Sequence, residues 1–323
     1  MFARAYLPDF NVFAVPGLHL LEGPYVLAKD VFQLLVLVCV IVALGRWLVT
    51  HPKRLFGFVP AEEKIRHHAH WEAYLILSFI GMIVTSGFFY DGGRFALDRA
   101  AHAHEAAWTP ISNWVSYRLD ALDIARGASN ASWWMHNLII LTFLNFLPLA
   151  KHFHVITSLP NVFFRKREPL GQLSKQDLET AETFGTSHID QFTWKQVLDM
   201  FSCTECGRCS SNCPATATGK PLAPRQMLLD LRDYLYAHQD EVIQKRVKQP
   251  AGPDGTPQEV GENVVGSVVE DEVLWSCNAC RACEEACPVM IEYVDKIVDM
   301  RRHLVQEEAR FPAELTRVFK AME

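Results

Sequence analysis

At 323 residues and a net charge of −6, the chain has room for two domains, and its composition is divided along its length. Residues 1–158 carry the long apolar runs with 12 basic against 11 acidic side chains, while residues 159–323 carry 19 against 26 and eight of the nine cysteines. No basic patch with interleaved aromatics occurs, which argues against a nucleic-acid partner, and the first residues lack the basic–apolar–small order of a signal peptide.

In chain order, residues 1–27 are mixed in character, and Pro8, Pro16 and Pro24 are placed to break any long helix, so this stretch reads as interfacial. Three runs then reach the roughly 20 apolar residues that cross a bilayer. They are 31–49, with Arg46 near its end; 71–90, with Glu72 its only charge; and 132–150, which has no formal charge. Buried helices of a large soluble protein are the competing reading, and three such runs in succession disfavour it. Cys39, in the middle of the first run, reads as a small packing residue. Lys53, Arg54, Lys64 and Arg66 lie between the first two runs, and Lys151, Arg165, Lys166 and Arg167 follow the third. The loop 91–131 is near neutral, with four basic and five acidic residues. Positive loops stay inside, which puts the cysteine-bearing half on the cytoplasmic side of the inner membrane. The loop 91–131 reads as two short amphipathic helices on the outer surface, with Trp108, Trp114 and Tyr117 at headgroup level.

The histidines of this half are spaced as a haem-carrying anchor requires. His136 sits about one turn inside the outer end of the third run and His154 at its inner end. On a regular helix the 18 residues between them make five turns, so both project from one face, about 27 Å apart along the axis. Imidazole is an axial ligand for haem iron, and a polar group inside a span is a functional candidate by default. His152 is turned by about 160° from His136 and fits less well, although Pro148 is placed to kink the helix and reset the face. His70, ahead of the second run, offers a second ligand on the inner side, giving a His70–His154 pair for one b-type haem. On the outer side no other run has a histidine. His136 therefore takes a partner from another chain or hydrogen-bonds a neighbouring helix. Headgroup contact is the alternative for the interfacial histidines, His51 among them.

The second half contains one phrase twice. Cys203, Cys206, Cys209 and Cys213 are followed by Pro214, and Cys277, Cys280, Cys283 and Cys287 by Pro288. Both read C-x-x-C-x-x-C-x-x-x-C-P. Thiolates suit soft iron, and three of them at three-residue steps wrap three corners of a 4Fe–4S cubane. In two-cluster ferredoxins the fourth cysteine ligates the other cluster. The expected sets are therefore Cys203, Cys206, Cys209 and Cys287 for one cluster, and Cys277, Cys280, Cys283 and Cys213 for the other. Zinc is the rival, but two C-x-x-C pairs would leave the third cysteine and the C-P ending unexplained. Disulfides do not suit a cytoplasmic placement. Between the phrases, Pro224 as a first-turn proline and Met227, Leu228, Leu231 and Leu235 at helical spacing predict a helix, and 248–266 reads as a surface loop. After the second phrase, Ile291, Val294, Ile297, Val298 and Leu304 predict another. The expected class is all-α, a transmembrane helical anchor over 1–158 and an α-helical ferredoxin domain over 159–323.

The stretches 133–165, 192–224 and 274–305, with their twin cysteine phrases and the K-H-F-H sequence at Lys151–His154, resemble heterodisulfide-reductase-related, membrane-bound iron–sulfur oxidoreductases. The anchor is similar to the haem b gamma subunit of respiratory nitrate reductase, and the likeness runs from about Pro24 onward. It implies haem b in the anchor, exchange with a quinone pool, and further subunits such as a flavoprotein or electron-transfer flavoprotein. Longer relatives carry CCG repeats that hold a catalytic cluster, whereas no cysteine follows Cys287 here. A partner subunit supplies such a part, or the sequence is a fragment.

Without a nucleotide-binding glycine loop or a catalytic acid–base pair, the expected role is a respiratory electron conduit between a cytoplasmic redox partner and haem b or quinone. The alternatives are a piece of a heterodisulfide-reductase-like catalytic oxidoreductase and a redox-sensing membrane protein. The charge asymmetry makes a direct prediction: a reporter fused after Glu323 should be active in the cytoplasm, and a periplasmic signal would reverse the expected topology.

Overall fold

The computed structural model describes residues 19–50, 66–149, 151–169, 171–176, 178–179, 183–247 and 260–322. Among the described residues there is no β-strand, so the molecule is all-α as its hydropathy pattern predicts. It divides into two compact units, one built from 19–50 and 68–149 and one from 151–322.

In the first unit, α1 (Glu22–Gly45) runs on through a π-helical turn at Arg46–Thr50. The helix starts earlier than the prolines predict. Pro24 lies in its first turn, where the missing N–H costs nothing because that donor has no intrahelical partner. The rest of the interfacial lead-in, 1–18, lies outside the described residues. α2 (Arg66–Leu97) overruns the second expected span at both ends, and α3 (Ala103–Trp108) and α4 (Pro110–Ala121) are the two short helices expected after it. α5 (Ala125–Phe146) follows.

Among the described residues, two helical stretches, Glu22–Thr50 and Trp71–Leu97, are long and apolar enough to cross a membrane. α5 is outside that set. The third expected span is interrupted by 3-10 turns at Leu147–Leu149, which contains Pro148, and at Lys151–Phe153. The uninterrupted five-turn face expected of His136 and His154 is therefore absent, and the two histidines belong to different units.

Polar pins hold the first unit together. Asp30 on α1 is buried, and its carboxylate accepts from the N–H of Ile111 (2.8 Å), the N–H of Ser112 (3.3 Å) and the hydroxyl of Ser112 (2.6 Å). It thus caps the N-terminus of α4, where the backbone donors and the helix dipole favour an anion. Lys29 pairs with Asp91 at 2.6 Å, and Arg94 reaches both Asp91 (3.4 Å) and Glu105 (3.5 Å). Gly23 lies flat against the indole of Trp108, where a Cβ would stand 2.5 Å from a ring carbon.

The second unit opens with α6 (His154–Phe163) packed on α7 (Trp194–Ser202). The Thr157 hydroxyl donates to the Phe201 carbonyl (2.9 Å), and Ser202 donates back to the Thr157 carbonyl (3.1 Å). A capping box of Thr193 and Gln196 starts α7. α8 (Arg208–Ser211) and α9 (Pro214–Ala217) are single turns. α10 (Pro224–Ala237) buries Met227, Leu228, Leu231 and Leu235, the side chains its spacing marks, and α11 (Gln239–Val247) follows. Most of the expected loop 248–266 lies outside the described residues. Beyond it come α12 (Asp271–Trp275), α13 (Ala282–Glu285), α14 (Tyr293–Gln306) and α15 (Ala313–Lys320). α14 buries Val294, Ile297 and Leu304 as expected, and also Lys296.

That lysine closes a charged knot between α7 and α14. Lys296 and Asp199 are both 0 % exposed and 2.5 Å apart, Lys195 lies 2.7 Å from Asp199, and Lys296 also donates to the Glu292 carbonyl (2.7 Å). Removing one partner of a buried pair strands the other. Asp199→Ala should therefore cost about 3–5 kcal/mol, read as a lower thermal midpoint of the helical signal. The double change Asp199→Leu, Lys296→Met should cost far less. An unchanged midpoint in Asp199→Ala would remove the knot from the account of stability.

Candidate metal centre

Each cysteine phrase begins where a helix stops. Cys203 is the C-cap of α7, and Cys277 follows the C-cap of α12, Ser276. The backbone then repeats itself. Glu205 and Gly207 in the first phrase, and Ala279 and Arg281 in the second, all have φ between 51° and 73°, at the same offsets from the first cysteine. Three of the four are not glycine, and L-residues populate this region sparingly. The shared conformation recurs at two positions in each phrase, and a one-turn helix follows each time, α8 after Gly207 and α13 after Arg281. Those two turns pack against each other. The internal repeat read from the sequence is thus also a repeat of conformation.

Cys203, Cys209, Cys283 and Cys287 share one apolar core, Cys213 lies in a smaller one, and Cys277 packs against both. Cys203, Cys209, Cys213, Cys283 and Cys287 are buried, Cys206 and Cys277 are half-buried, and Cys280 is exposed. Burial pushes the thiols of Cys203, Cys209, Cys277, Cys283 and Cys287 up, and neighbouring cysteines push them further. Those neighbours run across the two phrases. Cys209 is raised by Cys287 and Cys206, and Cys287 by Cys206. Cys277 is raised by Cys213 and Cys280, and Cys283 by Cys209, Cys277 and Cys213. The fourth cysteine of each phrase is thus charge-coupled to cysteines of the other phrase, and the third cysteines, Cys209 and Cys283, are coupled to each other as well.

Donors point at the sulfurs. The Tyr293 hydroxyl donates to Cys209 Sγ (3.4 Å), the Ala279 N–H to Cys277 Sγ (3.3 Å) and the Ile291 N–H to Cys287 Sγ (3.5 Å). Among the described residues no three His, Cys, Asp or Glu side chains converge on one point, as a single-ion site needs. A cubane is held differently, with each thiolate on its own iron, so its ligands surround a volume instead. The residues fit such a group by donor chemistry, burial and sulfur hydrogen bonding. The exposed Cys280 opens on a cavity of about 850 Å³ lined by Arg165, Lys166, Arg167, Arg281, Met290 and Glu292 among others.

Three residues around the sulfurs carry no signal of that role in the sequence. Tyr293 stands between the apolar Ile291 and Val294. Glu205, buried with its left-handed backbone, pairs with Arg232 at 3.0 Å. Arg301 clamps the start of the second phrase, donating to the carbonyls of Leu274 (2.5 and 3.0 Å) and Cys277 (2.6 Å) while lying 5.0 Å over the Trp275 ring. It adds charged donors to the Leu274 carbonyl, which also accepts from the Cys277 N–H (3.2 Å), and to the Cys277 carbonyl just beyond the C-terminus of α12.

The candidate histidines are divided between the two units, His136 in the first and His154 in the second. His136 on α5 faces α2, with Nδ1 2.9 Å from Ser86 Oγ and 3.2 Å from the Ile83 carbonyl. Since Ser86 donates its own proton to that carbonyl (2.7 Å), both groups accept from Nδ1–H, which leaves the Nε2 lone pair for another partner. His154 opens α6, its ring 5.6 Å from that of His152. His70 lies in the first turns of α2, and its side chain is outside the described residues.

Comparison with known proteins fits this geometry. Residues 202–291 match the 4Fe-4S dicluster domain family. The chain is 33 % identical to a probable iron-sulfur-binding oxidoreductase, FadF, of Bacillus subtilis, over 95 % of its own length and 46 % of the relative's. It is 32 % identical to the EtfAB:quinone oxidoreductase of Syntrophomonas wolfei, over 83 % of the chain and 40 % of the relative. It is 42 % identical to a probable membrane-anchored ferredoxin of Chromohalobacter salexigens, over 43 % of the chain and 22 % of the relative. The chain thus spans less than half the length of these curated relatives. No solved structure matches it. The chain is a distant relative of iron–sulfur, ferredoxin-like oxidoreductases, some of them membrane-anchored.

Arg301 gives the test of this architecture. Arg301→Met keeps the stem and removes charge-assisted bonds worth about 1.5–3 kcal/mol. Amide exchange over 276–280 should accelerate about ten- to a hundredfold, as mass spectrometry would show. Unchanged exchange there would mean that the phrase holds its shape without the clamp.

Proposed function

We propose that this chain is a membrane-bound electron-transfer subunit in which Cys203, Cys206, Cys209 and Cys287 hold one 4Fe–4S cluster and Cys277, Cys280, Cys283 and Cys213 hold the other. What supports the proposal is the repeated phrase with its matching left-handed residues and the contact between the one-turn helices α8 and α13, together with the charge coupling of Cys287 to Cys206 and Cys209 and of Cys213 to Cys277 and Cys283. When bound, such clusters supply one-electron transfer at thiolate-ligated iron. The chain's own groups shield the five buried cysteines from water, hold the phrases in shape by the shared left-handed residues, and donate to the sulfurs through the Tyr293 hydroxyl and the Ala279 and Ile291 amides. Cys280, at the exposed edge, is the place where electrons would pass to or from a partner.

The two long apolar helices support a membrane-bound role, with the cysteine unit in the cytoplasm by the charge asymmetry of the loops. The names of the relatives, one an EtfAB:quinone oxidoreductase, support a flavoprotein partner on one side and a quinone pool on the other. A CCG-domain subunit or segment would supply any further catalytic step. Haem b in the anchor belongs to the same proposal. His136, with Nδ1–H fixed by Ile83 and Ser86 and Nε2 left over, has the form of an axial ligand, and His70 and His154 are the candidates at the other surface.

Two experiments test these halves separately. Anaerobically purified protein should contain close to eight irons and eight labile sulfides per chain. Cys213→Ser should damage the cluster held by the second phrase, although Cys213 lies in the first. Four irons, or stoichiometric zinc, would sink the cluster assignment. For the anchor, a pyridine haemochrome spectrum of the native complex should show haem b. His154→Leu should remove the inner haem with the iron–sulfur content intact, and His152→Leu should leave it. Absence of haem from the native complex would leave the histidines as packing and hydrogen-bonding groups.

A further inference from the structure

We infer that α6 and the segment after it form an interfacial foot by which the cysteine-bearing unit rests in the headgroup layer of an anionic membrane. α6 has two unlike faces. Its inner face is fixed by polar bonds: Thr157 donates to Phe201 O, and Asn161, fully buried, donates to Val289 O at 2.8 Å. Its outer face carries Val155, Ile156, Leu159 and Phe163, spaced i, i+1, i+4 and i+8, with Leu159 78 % and Phe163 68 % exposed. A water-facing helix has no reason to line that face with large apolar side chains and no charge, and the free energy of leaving them in water favours covering them.

The occupant is indicated by what surrounds the stripe. Phe164 extends it beyond the end of α6 and stacks edge-on against Trp194 of α7 (5.2 Å, 90°), so two separate elements bring aromatic rings to one surface. Exposed tryptophan and phenylalanine beside an aliphatic stripe are the composition of a headgroup-level belt. Arg165 and Arg167, both exposed, follow at once at the rim of the Cys280 cavity, with one exposed carboxylate, Glu168, after them, whereas Lys166 turns inward to Asp295 (2.9 Å). An apolar face edged by outward cations matches a surface of acyl chains under anionic phosphates, and a protein partner would not need that order of layers. In sequence, α6 also follows the apolar stretch 132–150 almost directly, so the foot is never far along the chain from the expected anchor.

This inference does not depend on the clusters or on haem, because its test reads lipid contact alone. The full chain would be placed in nanodiscs of phosphatidylcholine with or without phosphatidylglycerol. The photo-cross-linking residue p-benzoylphenylalanine would replace Leu159, Phe163 or, as a control, the exposed Ile243 of α11. Positions 159 and 163 should form lipid adducts, several-fold more with phosphatidylglycerol present, and position 243 should form none. Arg165→Glu with Arg167→Glu should remove the phosphatidylglycerol dependence without altering the helical signal. Cross-links from 159 and 163 to protein instead of lipid, or adducts as frequent at 243, would overturn the proposal.

Discussion

Bringing several thiols into a small helical core is costly, because burial disfavours the thiolate and neighbouring thiolates disfavour one another. The thiols of Cys203, Cys209, Cys277, Cys283 and Cys287 are all raised for these two reasons, burial first. Hydrophobic packing alone does not favour such an arrangement. It becomes favourable when the sulfurs are ligands, since coordination removes the proton and spreads the charge over a metal–sulfide core. The surrounding structure serves that constraint. Paired left-handed residues bend each phrase around its cysteines, amides and a tyrosine hydroxyl turn toward the sulfurs, and Arg301 fixes the strand of chain that leads into the second phrase.

The same constraint explains the charged knot under the site. The helix that delivers Cys203 and the helix that follows Cys287 are joined by Asp199 and Lys296, which have no exposure to water. A buried ion pair contributes little net stability compared with apolar packing, but it tolerates little displacement. Its position between α7 and α14 restricts the register in which the two phrases face each other.

The sequence was legible where chemistry is local. The spacing of the cysteines, the first-turn Pro224 and the apolar positions of α10 needed no tertiary information. It was less legible where neighbours decide. Lys296 looks like a solvent-facing residue of an amphipathic helix, and only Asp199, 97 positions away, makes its burial acceptable. Asp30 looks like a charge inside an apolar run, and its meaning depends on the α4 N-terminus it caps. In the run 132–150 composition does not reveal the break at Pro148, where the helix closes at Phe146 into a 3-10 turn. His136 and His154 therefore do not share one continuous helix.

The central claim is that the two phrases exchange their fourth cysteines. Anomalous diffraction at the iron absorption edge, from anaerobically grown crystals of the native protein, tests it most directly. The account predicts two cubane-sized iron peaks, one bonded by Cys203, Cys206, Cys209 and Cys287 and the other by Cys277, Cys280, Cys283 and Cys213. A single iron site, or two sites each bonded by all four cysteines of one phrase, would contradict it.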